Sequence, residues 1–293
     1  MVVGEDRRSP RGMAEAALCQ LCEEVAPQLV SSIESARQHI AEQTLLGHAL
    51  IANDTPLSSN LLESLDAVWS GQERPRACAL TVEGLHGASW YRLPGEAAAP
   101  AIAVWRGDIC SLQADAVVNA ANERGLGCFV PHHRCIDNVL HRAAGPRLRE
   151  ECRALMLQRN RLASGDPPLL TQGYHLHASH VLHVTGPQIA QGMRPSAEER
   201  ALLAACYTGC LNAARQAGLR SVAFCCISTG LFGYPQSEAA IVAIETVRDW
   251  CMASEANRAA IETVVFDVFT EADLEAYRGH ALRLLESGDA SRE

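Results

Sequence analysis

Six short apolar runs divide the second two thirds of the chain, and their texture limits the fold more than any other feature. They are Ala101-Ile-Ala-Val-Trp105, Ala116-Val-Val-Asn119, Leu169-Leu-Thr171, Val181-Leu-His-Val184, Val222-Ala-Phe-Cys-Cys-Ile227 and Val264-Val-Phe-Asp-Val-Phe269. Helical patterns lie among them at about 137–158, 196–217, 237–253 and 271–286. A strand with one face in water alternates apolar and polar residues, whereas these runs are nearly continuous. Such strands are buried on both faces, so the spacing predicts an α/β fold with a mainly parallel sheet between two helical layers. Ligands in folds of this kind sit at the carboxyl ends of the strands. Gly107-Asp108, Asn119, Asn122 and Ser228-Thr229-Gly230 all fall at those ends.

The first part of the chain reads differently. Residues 1–12 are polar with Gly and Pro and are expected to be disordered. Leu18, Leu21, Val25, Leu29, Ile33, Ala36 and Ile40 recur at helical steps, with Pro27 a point where the helix can kink. Asn60 followed by Glu63 resembles a helix cap, and the helix it opens ends near Gly71. The reading is a helical extension over 13–98, an α/β domain over 99–286 and a tail over 287–293.

The formal net charge of −9 and the lack of any Lys/Arg run argue against a nucleic-acid-binding protein. No apolar stretch is long enough to span a membrane. The 12 cysteines are scattered, several inside apolar runs, which suits free thiols in a reducing compartment such as the cytoplasm. Arg7, Arg8 and Arg11 hint at organellar import, and Glu5 and Asp6 count against it.

The chemistry is concentrated between 119 and 145. Cys128, His133 and Cys135 are soft ligands that one loop can wrap around a metal, leaving a fourth position open as in catalytic zinc sites. The spacing matches neither a zinc finger nor a zinc ribbon, so on spacing alone metal and no metal both stand. His132 competes by adjacency, and Cys110 or Cys152 could supply a fourth donor. Cys19 and Cys22 have redox-motif spacing without the expected βαβ context. Asp108 can receive an adenine amine or simply cap a turn. Ser228 to Tyr234 can cradle a diphosphate with backbone N–H groups or be a tight glycine connection. His183 lies within an apolar run and reads as a hydrogen-bonded core residue. His175, His177 and His180 read as a solvated turn.

Taken in order, Gly107-Asp108-Ile109, Asn119-Ala-Ala-Asn122, His141-Arg-Ala-Ala-Gly145, His183-Val-Thr-Gly-Pro187 and Ser228-Thr-Gly-Leu-Phe-Gly-Tyr234 resemble the motifs of a macrodomain. The segment from Gly127 to Asn138 is similar to the zinc-containing branch of that family, microbial enzymes with a helical N-terminal extension. The resemblance implies a three-layer α/β/α macrodomain binding ADP-ribose. It implies that Asp108 and Ile109 hold the adenine and that Phe269 stacks on it. Ser228, Thr229, Gly230, Leu231, Phe232, Gly233 and Tyr234 would wrap the diphosphate and distal ribose, and Asn119 and Asn122 would orient that ribose. Asn122 and Asp137 would be catalytic, with Zn2+ on Cys128, His133 and Cys135. The expected activity is hydrolytic removal of ADP-ribose from mono-ADP-ribosylated protein, with O-acetyl-ADP-ribose as a further substrate. The rival expectation is a non-catalytic ADP-ribose reader, which needs neither Asp137 nor a metal.

Overall fold

The computed structural model describes residues 13–14, 16–18, 20–21, 42–72, 74–81, 83–93, 99–131, 133–190 and 192–287. The disorder expected at 1–12, the Cys19/Cys22 pair, Pro27, His132 and the end of the tail lie outside the described residues.

Five strands run parallel through the centre of one mixed sheet. They are β2 (Ala101–Trp105), β3 (Ala116–Ala120), β5 (His180–Val184), β6 (Ser221–Phe224) and β7 (Thr263–Asp267). Three antiparallel strands flank them: β4 (Leu169–Gln172) beside β5, β1 (Ser89–Arg92) beside β2, and β8 (Glu286–Ser287) beyond β1. The order across the sheet is β4-β5-β3-β6-β7-β2-β1-β8. The central strands are the apolar runs, and Val117, Val118, Val181, Leu182, Val222, Val264 and Val265 are wholly buried. Each such side chain contributes about 1.5–3 kcal/mol of burial free energy against chain entropy.

Helix α6 (Gln236–Met252) packs on both α5 (Ala197–Gln216) and α8 (Glu271–Leu284), with α7 (Glu255–Ala260) against α6. Capping boxes fix two starts, Ser196 with Glu199 and Thr270 with Asp273. The other layer holds α3 (Ile136–Ala144) and α4 (Pro146–Met156), which pack on β3 and β4. The sequence pattern ran these two together as one helix over 137–158. Gly145 separates them because it sits at φ 86, in the region glycine favours, and Pro146 then opens the second helix.

In the extension, α1 (Glu42–Ala52) and α2 (Ser59–Ser70) share a small core. Leu18, Leu21, Leu46, Leu61, Leu65, Val68 and Trp69 are among its buried members. Ser58, two residues ahead of the expected Asn60, caps α2 by accepting from Leu61 N at 3.2 Å. The extension is not wholly helical, because β1 falls within 13–98. Its sequence Ser-Trp-Tyr-Arg is too short for alternation to show, and pairing with β2 places it.

Trp69 Nε1 donates to Arg142 O at 2.8 Å, and Asp66 accepts from Arg147 Nε at 3.1 Å and pairs with His175 Nε2 at 2.9 Å. The extension is therefore docked on α3, α4 and the turn before β5. These contacts correct the solvated-turn expectation. His175 is largely covered by α2, His177 Nε2 lies 2.7 Å from Pro75 O, and His180 begins β5.

Candidate functional site

Parallel strands bring their carboxyl ends to one edge of the sheet. The segments after β2, β3, β5, β6 and β7 therefore meet there. Val268 N donates to Trp105 O at 2.8 Å, Ala121 N to Val184 O at 2.8 Å, and Ile189 N to Phe232 O at 2.7 Å.

Asp108 follows β2. Its carboxylate accepts from Cys110 N at 3.0 Å and so caps the short 3-10 turn Ile109–Ser111. The side chain is exposed, leaving room for a second partner, while Ile109 is buried. Asp267, at the end of β7, joins this corner by accepting from Gly107 N at 3.3 Å. Burial, with Asp108 adding to it, pushes the Asp267 carboxyl well above the usual range. Sequence reading missed Asp267, since one carboxylate inside an apolar run gives no periodic signal. Phe269, two residues beyond β7, is 85% exposed and presents a free ring face.

The loop after β6 is held in an unusual backbone. Ser228 has φ 67, a costly conformation for a residue with a side chain. A Cβ on Gly186 would stand 2.0 Å from Ser228 Oγ, so the glycine after β5 is what admits that serine. Gly233 has φ 69, and its N–H donates to Gly230 O at 3.0 Å. Ser228 and Tyr234 are buried, which leaves Thr229, Gly230, Leu231, Phe232 and Gly233 along the surface of the loop.

Four polar side chains meet below these loops. Asn119 Nδ2 lies 2.8 Å from Asp137 Oδ1 and 3.0 Å from His183 Nδ1, its partner in the β3–β5 register. An amide can donate to both, which leaves the Nε2 proton on His183. That nitrogen is 3.0 Å from Thr171 Oγ1. Asn122 Nδ2 donates to Asp137 Oδ2 at 3.2 Å and to Gly127 O at 3.1 Å. Both oxygens of Asp137 are thus held by amides. Asn119 has no exposed surface, and its amide nitrogen braces Asp137 and His183. Asn122 is partly exposed.

Burial raises the Asp137 carboxyl to about 6, with Asn119, Arg149 and Asn122 pulling it back down. His141, one helical turn on, has Nε2 3.5 Å from Asp137 Oδ1. Burial, aided by His183 and Arg149, drives its pKa well below the ordinary value, so the imidazole is neutral and the contact is not an ion pair. His141, Cys152 and His183 form a buried cluster of possible ligand atoms. His183 is already satisfied by Asn119 and Thr171, as a core histidine should be.

Cys128, His133 and Cys135 come together on the loop before α3, with their ligand atoms all within 4.8 Å of one another. Cys128 Sγ is 3.4 Å from His133 Nδ1. Burial and then Cys128 and Asp137 push the Cys135 thiol up to about 12, although Asn138 N donates to it. A cation would reverse that balance by favouring thiolate, so the donor set suits a soft divalent metal. Asn138 was not singled out from the sequence. Its Nδ2 donates to Val130 O at 2.7 Å and His133 O at 2.8 Å, tying the loop to the helix start. Neither Cys110 nor Cys152 joins the triad among the described residues. Gly127, at φ 84, packs so closely that a Cβ would meet the His141 ring at 3.0 Å.

A separate cavity lies between the extension and helices α3 and α4. Leu50, Trp69, Arg142, Gly145 and Glu150 are among its walls, and it includes no residue of the loops at 107–109, 128–135 or 228–234.

The family model described as "Macro domain" matches residues 118–243. A Trypanosoma brucei macrodomain, solved in complex with ADP, is 30% identical with a TM-score of 0.59, over 82% of this chain and 96% of that one. A Staphylococcus aureus (strain COL) relative named "Protein-ADP-ribose hydrolase" is 45% identical over 177 residues, 60% of this chain and 65% of the relative. A Fusarium oxysporum f. sp. cubense relative named "Probable bifunctional ADP-ribose hydrolase/ADP-ribosyltransferase" is 46% identical over 189 residues, 62% of this chain and 31% of the relative. The chain thus spans less than two thirds of the length of these two curated relatives. With the motifs gathered at the strand ends of a mixed, mainly parallel sheet, and the Trypanosoma brucei domain matched almost throughout its length, the chain belongs to the macrodomain family.

Proposed function

We propose that this protein is a hydrolase that releases ADP-ribose from mono-ADP-ribosylated protein, with zinc bound by Cys128, His133 and Cys135. O-acetyl-ADP-ribose is a second substrate of the same site. One observation carries the reading: a buried carboxylate, Asp137, is gripped by two amides beside a cluster of two thiols and an imidazole. A module that only binds ADP-ribose has no use for such a costly arrangement. The names of the Staphylococcus aureus and Fusarium relatives agree with it.

Asp108 receives the adenine amine on its exposed side, and Phe269 stacks on the base. The N–H groups from Thr229 to Gly233 take the diphosphate, which suits an acidic protein because backbone dipoles rather than lysines bind it. Asn122 orients the distal ribose. In hydrolysis water adds at C1″ of that ribose and the side chain of the modified protein departs with a proton. Asp137 accepts the proton from water and passes it to the departing side chain, and with its pKa raised to about 6 it is mostly ionised near neutrality and still basic enough to act. When bound, zinc supplies a Lewis acid beside this carboxylate. The reading places the protein in the cytoplasm. The ten cysteines among the described residues that are free support a reducing compartment, and no described helix is long and apolar enough to cross a membrane.

The test is a release assay. Purified protein is incubated with mono-ADP-ribosylated protein and with O-acetyl-ADP-ribose, and free ADP-ribose is quantified. Turnover of the first substrate is expected. Tight binding of ADP-ribose with no release from either substrate would make the protein a reader and defeat the proposal.

A further inference from the structure

Arg149 is buried on α4, yet its guanidinium makes more contacts with distant backbone than any motif explains. Nη1 lies 2.7 Å from Leu50 O, 3.0 Å from Ile51 O and 2.7 Å from Asn53 O. These carbonyls belong to the last turn of α1 and the residue just after it, where Leu50 O also accepts from Asn53 N at 3.3 Å and the helix dipole favours a cation. Nη2 reaches the other way and donates to Cys128 O at 3.3 Å. The guanidinium carbon is 4.5 Å from the centre of the Phe129 ring. Arg124 stacks on Phe129 as well, 4.4 Å from the ring centre, and its Nη2 is 2.7 Å from Asp54 Oδ2. Two arginines therefore grip residues 128 and 129, and both are anchored to the stretch from Leu50 to Asp54.

We propose that Arg149 is a positioning residue through which the end of helix α1 sets the place of Cys128, making the N-terminal extension part of the metal loop's support. This deepens the reading above, because Cys128 is one of the zinc ligands proposed there. The physical basis is that a ligand's backbone must be fixed for its thiolate to meet a metal at the right distance, and groups behind the ligands carry that task. A planar guanidinium with five N–H donors can serve carbonyls on two sides at once, and an ammonium cannot. The exposed Arg124–Asp54 pair is the weaker arm, because water screens it.

The experiment compares full-length protein with Arg149→Met, Arg149→Lys and Arg124→Met. Two quantities are read: the rate at which a chelator strips zinc, and hydrogen exchange of the amides at 127–130 relative to those of β3 and β5. Arg149→Met is expected to lose zinc roughly ten- to hundredfold faster, as loss of groups behind metal ligands commonly does. Exchange at 127–130 should rise while the strands stay protected. Arg149→Lys should fall between, and Arg124→Met should show a smaller rise confined to 128–130. A folded Arg149→Met with native zinc loss and native exchange at 127–130 would overturn the proposal. If the native protein holds no zinc, the metal reading fails and the exchange comparison alone decides the role of Arg149. If Arg149→Met does not fold, unchanged exchange at 128–130 in Arg124→Met overturns the two-arm grip, and a local rise there upholds it.

Discussion

Replacing Asn119 by alanine separates two roles for that residue. Family resemblance gives it to the distal ribose, whereas the structure buries it completely and spends its amide on Asp137 Oδ1 and His183 Nδ1. Its loss leaves two buried acceptors short of a donor. Hydrogen bonds to charged groups are worth about 1.5–3 kcal/mol, and neutral ones about 1. Asn119→Ala should therefore destabilise by about 3 kcal/mol where Asp137 is ionised. The pH dependence has a definite sign. The folded pKa of Asp137, about 6, lies above the ordinary 3.8, so its contribution to stability is fully present below 3.8 and is lost as pH rises through 6. The Asn119 bond opposes that loss by favouring the charged form, and without it the pKa climbs further. The deficit should therefore be smaller near about pH 5, where the carboxyl is largely protonated, and larger near about pH 8. Urea unfolding at both pH values measures it, and calorimetry with ADP-ribose reads affinity. Stability should fall, the acid limb of activity should move to higher pH, and affinity should hold. Unchanged stability with a clear loss of ADP-ribose affinity would refute the reasoning and return Asn119 to the sugar.

Cys128→Ala and Cys135→Ala should each leave the purified protein with little zinc by elemental analysis, and full metal in either would break the proposed ligand set. Asp108→Ala should weaken ADP-ribose binding more than it slows release at saturating substrate, because adenine contacts are shared by ground and transition states. The lost cap adds a cost of about 1 kcal/mol in denaturant melts. An unchanged Kd would contradict the adenine assignment. Gly127→Ala must place a side chain at φ 84 and 3.0 Å from the His141 ring, so a loss of about 2–4 kcal/mol is expected from strain and overpacking together. Native stability in that variant would show the loop to be looser than described.

The central strands were legible because burial on both faces leaves an unbroken apolar run, as Val222-Ala-Phe and Val264-Val-Phe show. Strands β1 and β8 were harder, since two to four residues carry too little pattern and neighbouring strands decide their fate. The helix break at Gly145 was written in the Gly-Pro pair, yet the apolar spacing on either side runs through it. Residues local in sequence were easiest to group: Cys128, His133 and Cys135 stand within eight positions, and one loop brings them together. Contacts between distant segments were not legible. Nothing marks Arg149 as the partner of Leu50, Ile51 and Asn53, or His175 as the partner of Asp66. Those pairings follow from how the extension docks. Similarly, no spacing rule shows that Asn119 and Asn122 hold the two oxygens of one carboxylate, or that the first is wholly buried and the second partly exposed.

The proposed mechanism rests on Asp137 carrying proton transfer during release of ADP-ribose. Its most direct test is the single-turnover rate of release from mono-ADP-ribosylated protein, measured for the native protein and for Asp137→Ala under saturating enzyme. Rapid release is expected from the native protein and a fall of about a hundredfold or more in the variant, with free ADP-ribose still bound. Release by Asp137→Ala at the native rate would contradict it.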